Sequence, residues 1–137
     1  MAGEQILVVE DNAKSMTLFR DVLRATGYRT LEATTGGQAL MLATEHGPAL
    51  VLMDIRLPDM DGVEALSRLR MDERTASIPV LVVTAQAMKG DIERFKEAGF
   101  DGYLSKPVDI DELLTIVEQH CGGAAGEPTS PLRPTSR

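Results

Sequence analysis

Three times in 137 residues a short, uninterrupted apolar run stops abruptly on a polar side chain. Ile6-Leu7-Val8-Val9 ends on Glu10-Asp11, Ala49-Leu50-Val51-Leu52-Met53 ends on Asp54, and Val80-Leu81-Val82-Val83 ends on Thr84. Continuous apolar runs of this length, bounded by turn residues, read as strands buried on both faces. Two weaker strands complete the set: Tyr28 to Ala33, and Asp101 to Ser105 followed by Lys106-Pro107. The strand that closes on Thr84 is expected to run from Ile78, with Pro79 near its start, where a missing N–H is tolerated.

Between these runs the apolar period changes to that of a helix. Leu18, Val22 and Ala25 mark the first helix, opened by Asn12-Ala13-Lys14-Ser15 and stopped by Gly27. Gln38 to Glu45 follows the capping threonines Thr34-Thr35, and Val63 to Met71 exits through Asp72-Glu73-Arg74-Thr75. Met88, Ile92 and Phe95 set a fourth helix ended by Ala98-Gly99, and Ile110 to His120 a fifth, with Leu113, Leu114 and Val117 apolar. Strand and helix thus alternate five times. That order predicts an α/β fold: a five-stranded parallel sheet covered by helices on both faces through right-handed crossovers.

In such a sheet every strand points its carboxyl end the same way, and ligands bind outside that edge. Glu10, Asp11, Asp54, Thr84 and Lys106 all fall at or just past strand ends. Caps and turns alone do not account for so many polar groups on one edge. Three neighbouring carboxylates repel one another, and at least one pKa would rise. A hard divalent cation relieves that repulsion; Mg²⁺ takes one or two carboxylates, several waters and phosphate oxygens. Lys106 adds a point charge and Thr84 a hydroxyl able to bond an oxyanion. The set suits phosphoryl transfer, which needs positioning and charge neutralisation, with an Asp carboxylate as nucleophile.

The remaining composition narrows the classes. The length suits one domain with a sizeable core. A net charge of -7 argues against a nucleic-acid surface and favours a protein partner or a cation. Cys121 is the single cysteine, so neither a disulfide framework nor a thiolate metal site is expected. No apolar run approaches a membrane span, and Met1-Ala2-Gly3-Glu4-Gln5 lacks the character of a signal peptide. A cytosolic protein fits best. The stretch from Gly122 to Arg137, rich in Gly, Ala, Pro, Ser and Thr, is expected to be a flexible tail.

Four motifs together resemble the receiver domain of two-component response regulators. They are Val9-Glu10-Asp11-Asn12, Met53-Asp54-Ile55-Arg56-Leu57-Pro58-Asp59-Met60-Asp61-Gly62, Val83-Thr84-Ala85 and Tyr103-Leu104-Ser105-Lys106-Pro107. The likeness runs from Gln5 to about Cys121, which gives a receiver domain over residues 1–121 and the tail over 122–137. It implies a flavodoxin-like (βα)5 fold and a signalling domain, not an enzyme acting on other substrates. Asp54 would accept phosphate from a histidine kinase or a histidine phosphotransfer protein. Glu10, Asp11, Asp54 and the backbone carbonyl of Arg56 would hold Mg²⁺. Glu10 stands where the family more commonly has Asp, and its longer side chain is expected to reach the metal through water. Thr84 and Lys106 would contact the phosphoryl group, Tyr103 would be the aromatic that changes rotamer, and the Lys106–Pro107 peptide would be cis. The output surface would lie around Met88, Lys89, Ile92, Tyr103 and Val108, read by a downstream protein and not by DNA or a membrane.

Other assignments fit less well. A haloacid-dehalogenase phosphatase expects its nucleophile on the first strand and a second Asp two residues later, where this chain has Arg56. A flavin-binding relative expects a hydroxyl-rich loop where Glu10-Asp11 stand. With only a short tail after Cys121, a stand-alone receiver is expected; the alternative is a receiver excised from a longer protein. Asp59 and Asp61 read as loop and turn residues, and His46 and His120 as surface residues. Met16, Phe19 and Leu23 form a second stripe beside Leu18, Val22 and Ala25, and the pattern leaves open which of the two faces out toward a partner.

Overall fold

The computed structural model describes residues 3–85 and 88–122. Strands β1 (Gln5–Val9), β2 (Arg29–Ala33), β3 (Leu50–Asp54), β4 (Val80–Thr84) and β5 (Gly102–Ser105) alternate with helices α1 (Ala13–Ala25), α2 (Gly36–His46), α3 (Gly62–Met71), α4 (Lys89–Ala98) and α5 (Ile110–Val117). All strand pairs are parallel, in the order β2-β1-β3-β4-β5. The first strand lies inside the sheet, with β2 on one side of it and β3, β4 and β5 following on the other. The topological switch point therefore lies between β1 and β3, where Val9 pairs with Met53.

The three central strands are buried on both faces, which is why their sequences run without alternation. Leu7 and Val9 of β1 and Val51 and Met53 of β3 join one core with Ala39 and Ala43 of α2, Leu66 and Leu69 of α3 and Phe95 of α4. Their even-numbered neighbours join the other, with Met16, Phe19 and Leu23 of α1 and Leu113 and Val117 of α5. The two candidate stripes of α1 are thereby told apart. Met16, Phe19 and Leu23 are the buried one; Leu18 and Val22 are half-buried beside it, and Ala25 is exposed.

Element ends differ from the sequence expectation by small amounts with physical reasons. The fourth strand begins at Val80, not Ile78. Pro79 has no N–H to give, although its carbonyl still accepts from Val51 N at 3.0 Å. Met88 is the cap of α4 and largely exposed, where the period had placed it inside the helix. The last helix changes to a wider π-type turn over Glu118–Gly122. In that turn His120 Nδ1 sits 2.9 Å from Ile116 O and the residue is half-buried, less exposed than the surface position expected. Beyond Gly122 itself, the expected tail lies outside the described residues. None of the described helices is long and apolar enough to cross a membrane.

One clasp lies at the edge opposite the strand ends. Arg70, at the end of α3, donates to Ile78 O at 2.7 Å, Ala76 O at 3.1 Å and Asp101 Oδ2 at 3.1 Å. Asp101 Oδ2 also accepts from Val80 N at 2.8 Å. One guanidinium thus ties the loops that enter β4 and β5.

Candidate functional site

The carboxyl edge of the sheet gathers side chains from four strands. Glu10 and Asp11 follow β1, Asp54 closes the neighbouring β3, Thr84 closes β4, and Lys106 follows β5. Backbone ladders extend past the strands and fix these positions: Glu10 N donates to Ala33 O (2.9 Å), Ile55 N to Val83 O (3.0 Å) and Lys106 N to Thr84 O (2.8 Å). Together with Asn12, Ile55, Arg56 and Ala85 these residues line an open cleft of about 350 Å³. The Lys106–Pro107 peptide is cis.

Within the cleft Lys106 Nζ lies 3.0 Å from both Asp54 Oδ2 and Glu10 Oε1. Asp54 Oδ1 accepts from Arg56 N at 3.1 Å, and Glu10 Oε2 from Asn12 N at 3.1 Å. Glu10 is 1% exposed, Asp54 6% and Thr84 2%. Asp11, in contrast, is exposed to the solvent side. Glu10 Oε1 is fully buried, and its contact with Lys106 lies outside hydrogen-bond angles, so this oxygen keeps unused lone pairs.

The charges feel one another. Burial pushes the Glu10 carboxyl above its ordinary value, more than Lys106 and the Asn12 amide lower it, and Asp54 adds to the rise. Burial alone would lower the Lys106 ammonium, but its hydrogen bond to Asp54 and its close pairing with the Glu10 carboxylate together outweigh that and leave it raised.

Glu10, Asp11 and Asp54 each offer an oxygen within 4.8 Å of the others, close enough to hold one metal ion. The donor set is entirely hard oxygen, which suits Mg²⁺. Glu10 Oε1, paired with Lys106 but accepting no hydrogen bond, keeps lone pairs that a cation or its water could use. These residues fit a divalent cation.

Of the other expected positions, Tyr103 is 39% exposed on the edge strand β5. It pairs with Val82 while Ser105 pairs with Thr84, so Tyr103 and Thr84 share one face of the sheet. Asp61 caps α3, accepting from Glu64 N at 2.8 Å. Asp59, read from the sequence as a loop residue, reaches across to α2: its two oxygens accept from Gly36 N (2.8 Å) and Gly37 N (2.9 Å). Those amides hold the Asp59 carboxyl below its usual range, Gly37 more than Gly36. No local pattern pairs an acid with a glycine pair more than twenty residues earlier; only the fold does.

The geometry has counterparts among known proteins. The family description "Response regulator receiver domain" matches residues 6–118. The polar-differentiation response regulator DivK of Brucella ovis is 44% identical over 121 residues, covering 88% of this chain and 98% of that protein. Among solved structures, the receiver domain of the sensor histidine kinase PA1611 from Pseudomonas aeruginosa PAO1 superposes with a TM-score of 0.81 at 38% identity, covering 89% of this chain and all of that one. That structure has a magnesium ion coordinated in its active site cleft. A putative response regulator from Chloroflexus aurantiacus J-10-fl gives a TM-score of 0.83 at 30% identity, covering 88% of this chain and 99% of that one.

Proposed function

Because this chain belongs to the response regulator receiver domain family, and is thus a phosphorylation-activated regulator of two-component signalling, we propose that Asp54 is its phosphoacceptor and that the cleft holds Mg²⁺. The observation that carries this reading is the convergence of Asp54 and Glu10 on Lys106, with Asp11 alongside, at the switch point of the sheet. Asp11, Asp54 and the Arg56 carbonyl would ligate the metal directly, and Glu10 through water. Bound Mg²⁺ supplies a Lewis acid that draws charge off the phosphoryl oxygens.

The chain's own residues do the rest. The donor is a phosphohistidine on a kinase or phosphotransfer protein. An Asp54 carboxylate oxygen attacks phosphorus, the P–N bond breaks, and its electron pair stays on the imidazole nitrogen, which takes up a proton. The product is an acyl phosphate. Lys106 already faces Asp54 Oδ2, and it follows the added charge onto a phosphoryl oxygen. The Thr84 hydroxyl donates to another. Water attack on the same phosphorus returns Asp54 and inorganic phosphate, so the domain catalyses only its own phosphorylation and dephosphorylation. Output is by protein–protein contact through the face around Met88, Lys89, Ile92, Tyr103 and Val108.

The test is intact-mass measurement after incubation with Mg²⁺ and acetyl phosphate. Wild type gains a single phosphoryl group and Asp54→Asn gains none. Equal labelling of the mutant overturns the assignment.

A further inference from the structure

The segment that leaves Asp54 is a closed ring. Gly62 N donates to Ile55 O at 2.7 Å, and Arg56 and Asp61 form an antiparallel bridge just inside. A Cβ on Gly62 would sit 3.0 Å from both the Asp54 carbonyl oxygen and Ile55 Cα, so the ring closes against backbone that has no room to yield. At its base the ring is joined to the reactive carboxylate, since Arg56 N donates to Asp54 Oδ1 at 3.1 Å. At its tip it is hooked to a different helix, by the two Asp59 hydrogen bonds to Gly36 N and Gly37 N. Met60 lies over Gly36 so closely that a Cβ there would be 2.6 Å from Met60 Cγ.

The geometry points to Asp59 as a positioning residue: by latching this ring to the start of α2 it sets the backbone of Arg56 at the cleft, and so couples α2 to metal binding. The inference rests on the proposed Mg²⁺ site. An ordinary cap would do less. α2 already has its own cap in Thr35, whose hydroxyl accepts from Gln38 N at 3.1 Å. The apolar contact of Met60 holds the tip down without fixing its rotation, whereas two amides on one planar carboxylate fix both. Mg²⁺ demands near-ideal octahedral geometry, so a carbonyl displaced by a fraction of an ångström is a poorer ligand. Groups one step behind a metal ligand commonly change affinity by about 10–100-fold. Asp59 stands further back and is exposed, so a smaller effect is expected. Coupling between α2 and the metal is reciprocal.

The experiment compares wild type, Asp59→Ala and Asp59→Asn in the full chain, by ¹⁵N NMR titration with Mg²⁺ and by amide hydrogen exchange. Asp59→Ala should raise the Mg²⁺ Kd about three- to tenfold, and Asp59→Asn less, because its amide oxygen can still accept from one of the two N–H groups. In wild type Mg²⁺ should slow exchange at Gly36 and Gly37, and in Asp59→Ala it should not. A wild-type Kd in both variants, with exchange at Gly36 and Gly37 raised, makes Asp59 a helix cap alone and overturns the latch. Asp11→Ala, titrated alongside, separates the two failures. If it weakens Mg²⁺ while the Asp59 variants do not, the latch alone falls; if none of the variants alters Mg²⁺ binding, the metal site falls and the latch with it.

Discussion

Lys106 Nζ lies 3.0 Å from Asp54 Oδ2, a contact that crosses from the end of β5 to the end of β3 over the intervening β4. The same ammonium serves Glu10, so one cation at the carboxyl edge balances two buried acids.

Lys106→Met should therefore leave two carboxylates facing each other. The cost is expected at about 2–3 kcal/mol without metal, below the ~3–5 kcal/mol of a fully buried pair because the lysine is 24% exposed. Saturating Mg²⁺ should recover most of the loss. Urea unfolding with and without Mg²⁺ measures both quantities, and an unchanged midpoint in metal-free buffer would count against the pairing.

Arg70→Lys should destabilise the fold by about 2 kcal/mol, since one ammonium cannot reach the Ala76 and Ile78 carbonyls and the Asp101 carboxylate together. Labelling of Asp54 by acetyl phosphate should be unaffected, because the clasp lies at the opposite edge of the sheet. Thermal unfolding and intact mass on the same sample decide it; impaired labelling of folded protein would show a link across the sheet that the geometry does not contain.

Thr84→Ala should still accept phosphate but transmit it poorly. A phosphoryl group that draws Thr84 toward Asp54 opens space on the face it shares with Tyr103, and Tyr103 is the neighbouring side chain large enough to fill it. A partner reading that face would sense the change through its differential affinity, typically about 1–3 kcal/mol of coupling. Paired NMR spectra with and without beryllofluoride are the measurement. Equal large shifts from Met88 to Val108 in wild type and mutant would refute this coupling.

Asp59 also sets a pH dependence. Its carboxyl is lowered by the Gly37 and Gly36 amides, so its stabilising contribution is full above the ordinary value of 3.8 and lost as pH falls through the lower folded value. The stability gap between wild type and Asp59→Asn should accordingly be widest near neutral pH and close in strong acid. Chemical denaturation at a series of pH values checks it; a gap that widens on acidification has the wrong sign.

The architecture and the cleft were largely legible from local pattern. An uninterrupted apolar run reports burial on both faces, and the residue that ends it lies at the sheet edge, so Glu10, Asp54 and Thr84 could be placed without coordinates. What escaped depends on distance in sequence. Asp59 looks like any loop acid until α2 is packed beside it. Arg70 looks like any helix-end base until the loops before β4 and β5 close around it. The two stripes of α1 are equally apolar, and only the packing against β1 and α5 chose Met16, Phe19 and Leu23. Glu10 and Asp11 are adjacent acids of the same charge, yet one is sealed and the other exposed, because successive residues at a strand end point to opposite sides.

The chain has no tryptophan and two tyrosines. Tyr28 is buried against the α1 core, and Tyr103 stands half in solvent at the edge of the sheet. Both tyrosines absorb, but only Tyr103 lies on the face expected to change, so a change in the tyrosine signal on switching should come chiefly from that residue. Any change in the environment of Tyr103 should appear in the intrinsic tyrosine emission of the unlabelled protein, with a sealed second tyrosine as the constant background. The protein carries its own optical probe on the face where its output is expected, and the kinetics of switching can be followed without attaching a dye.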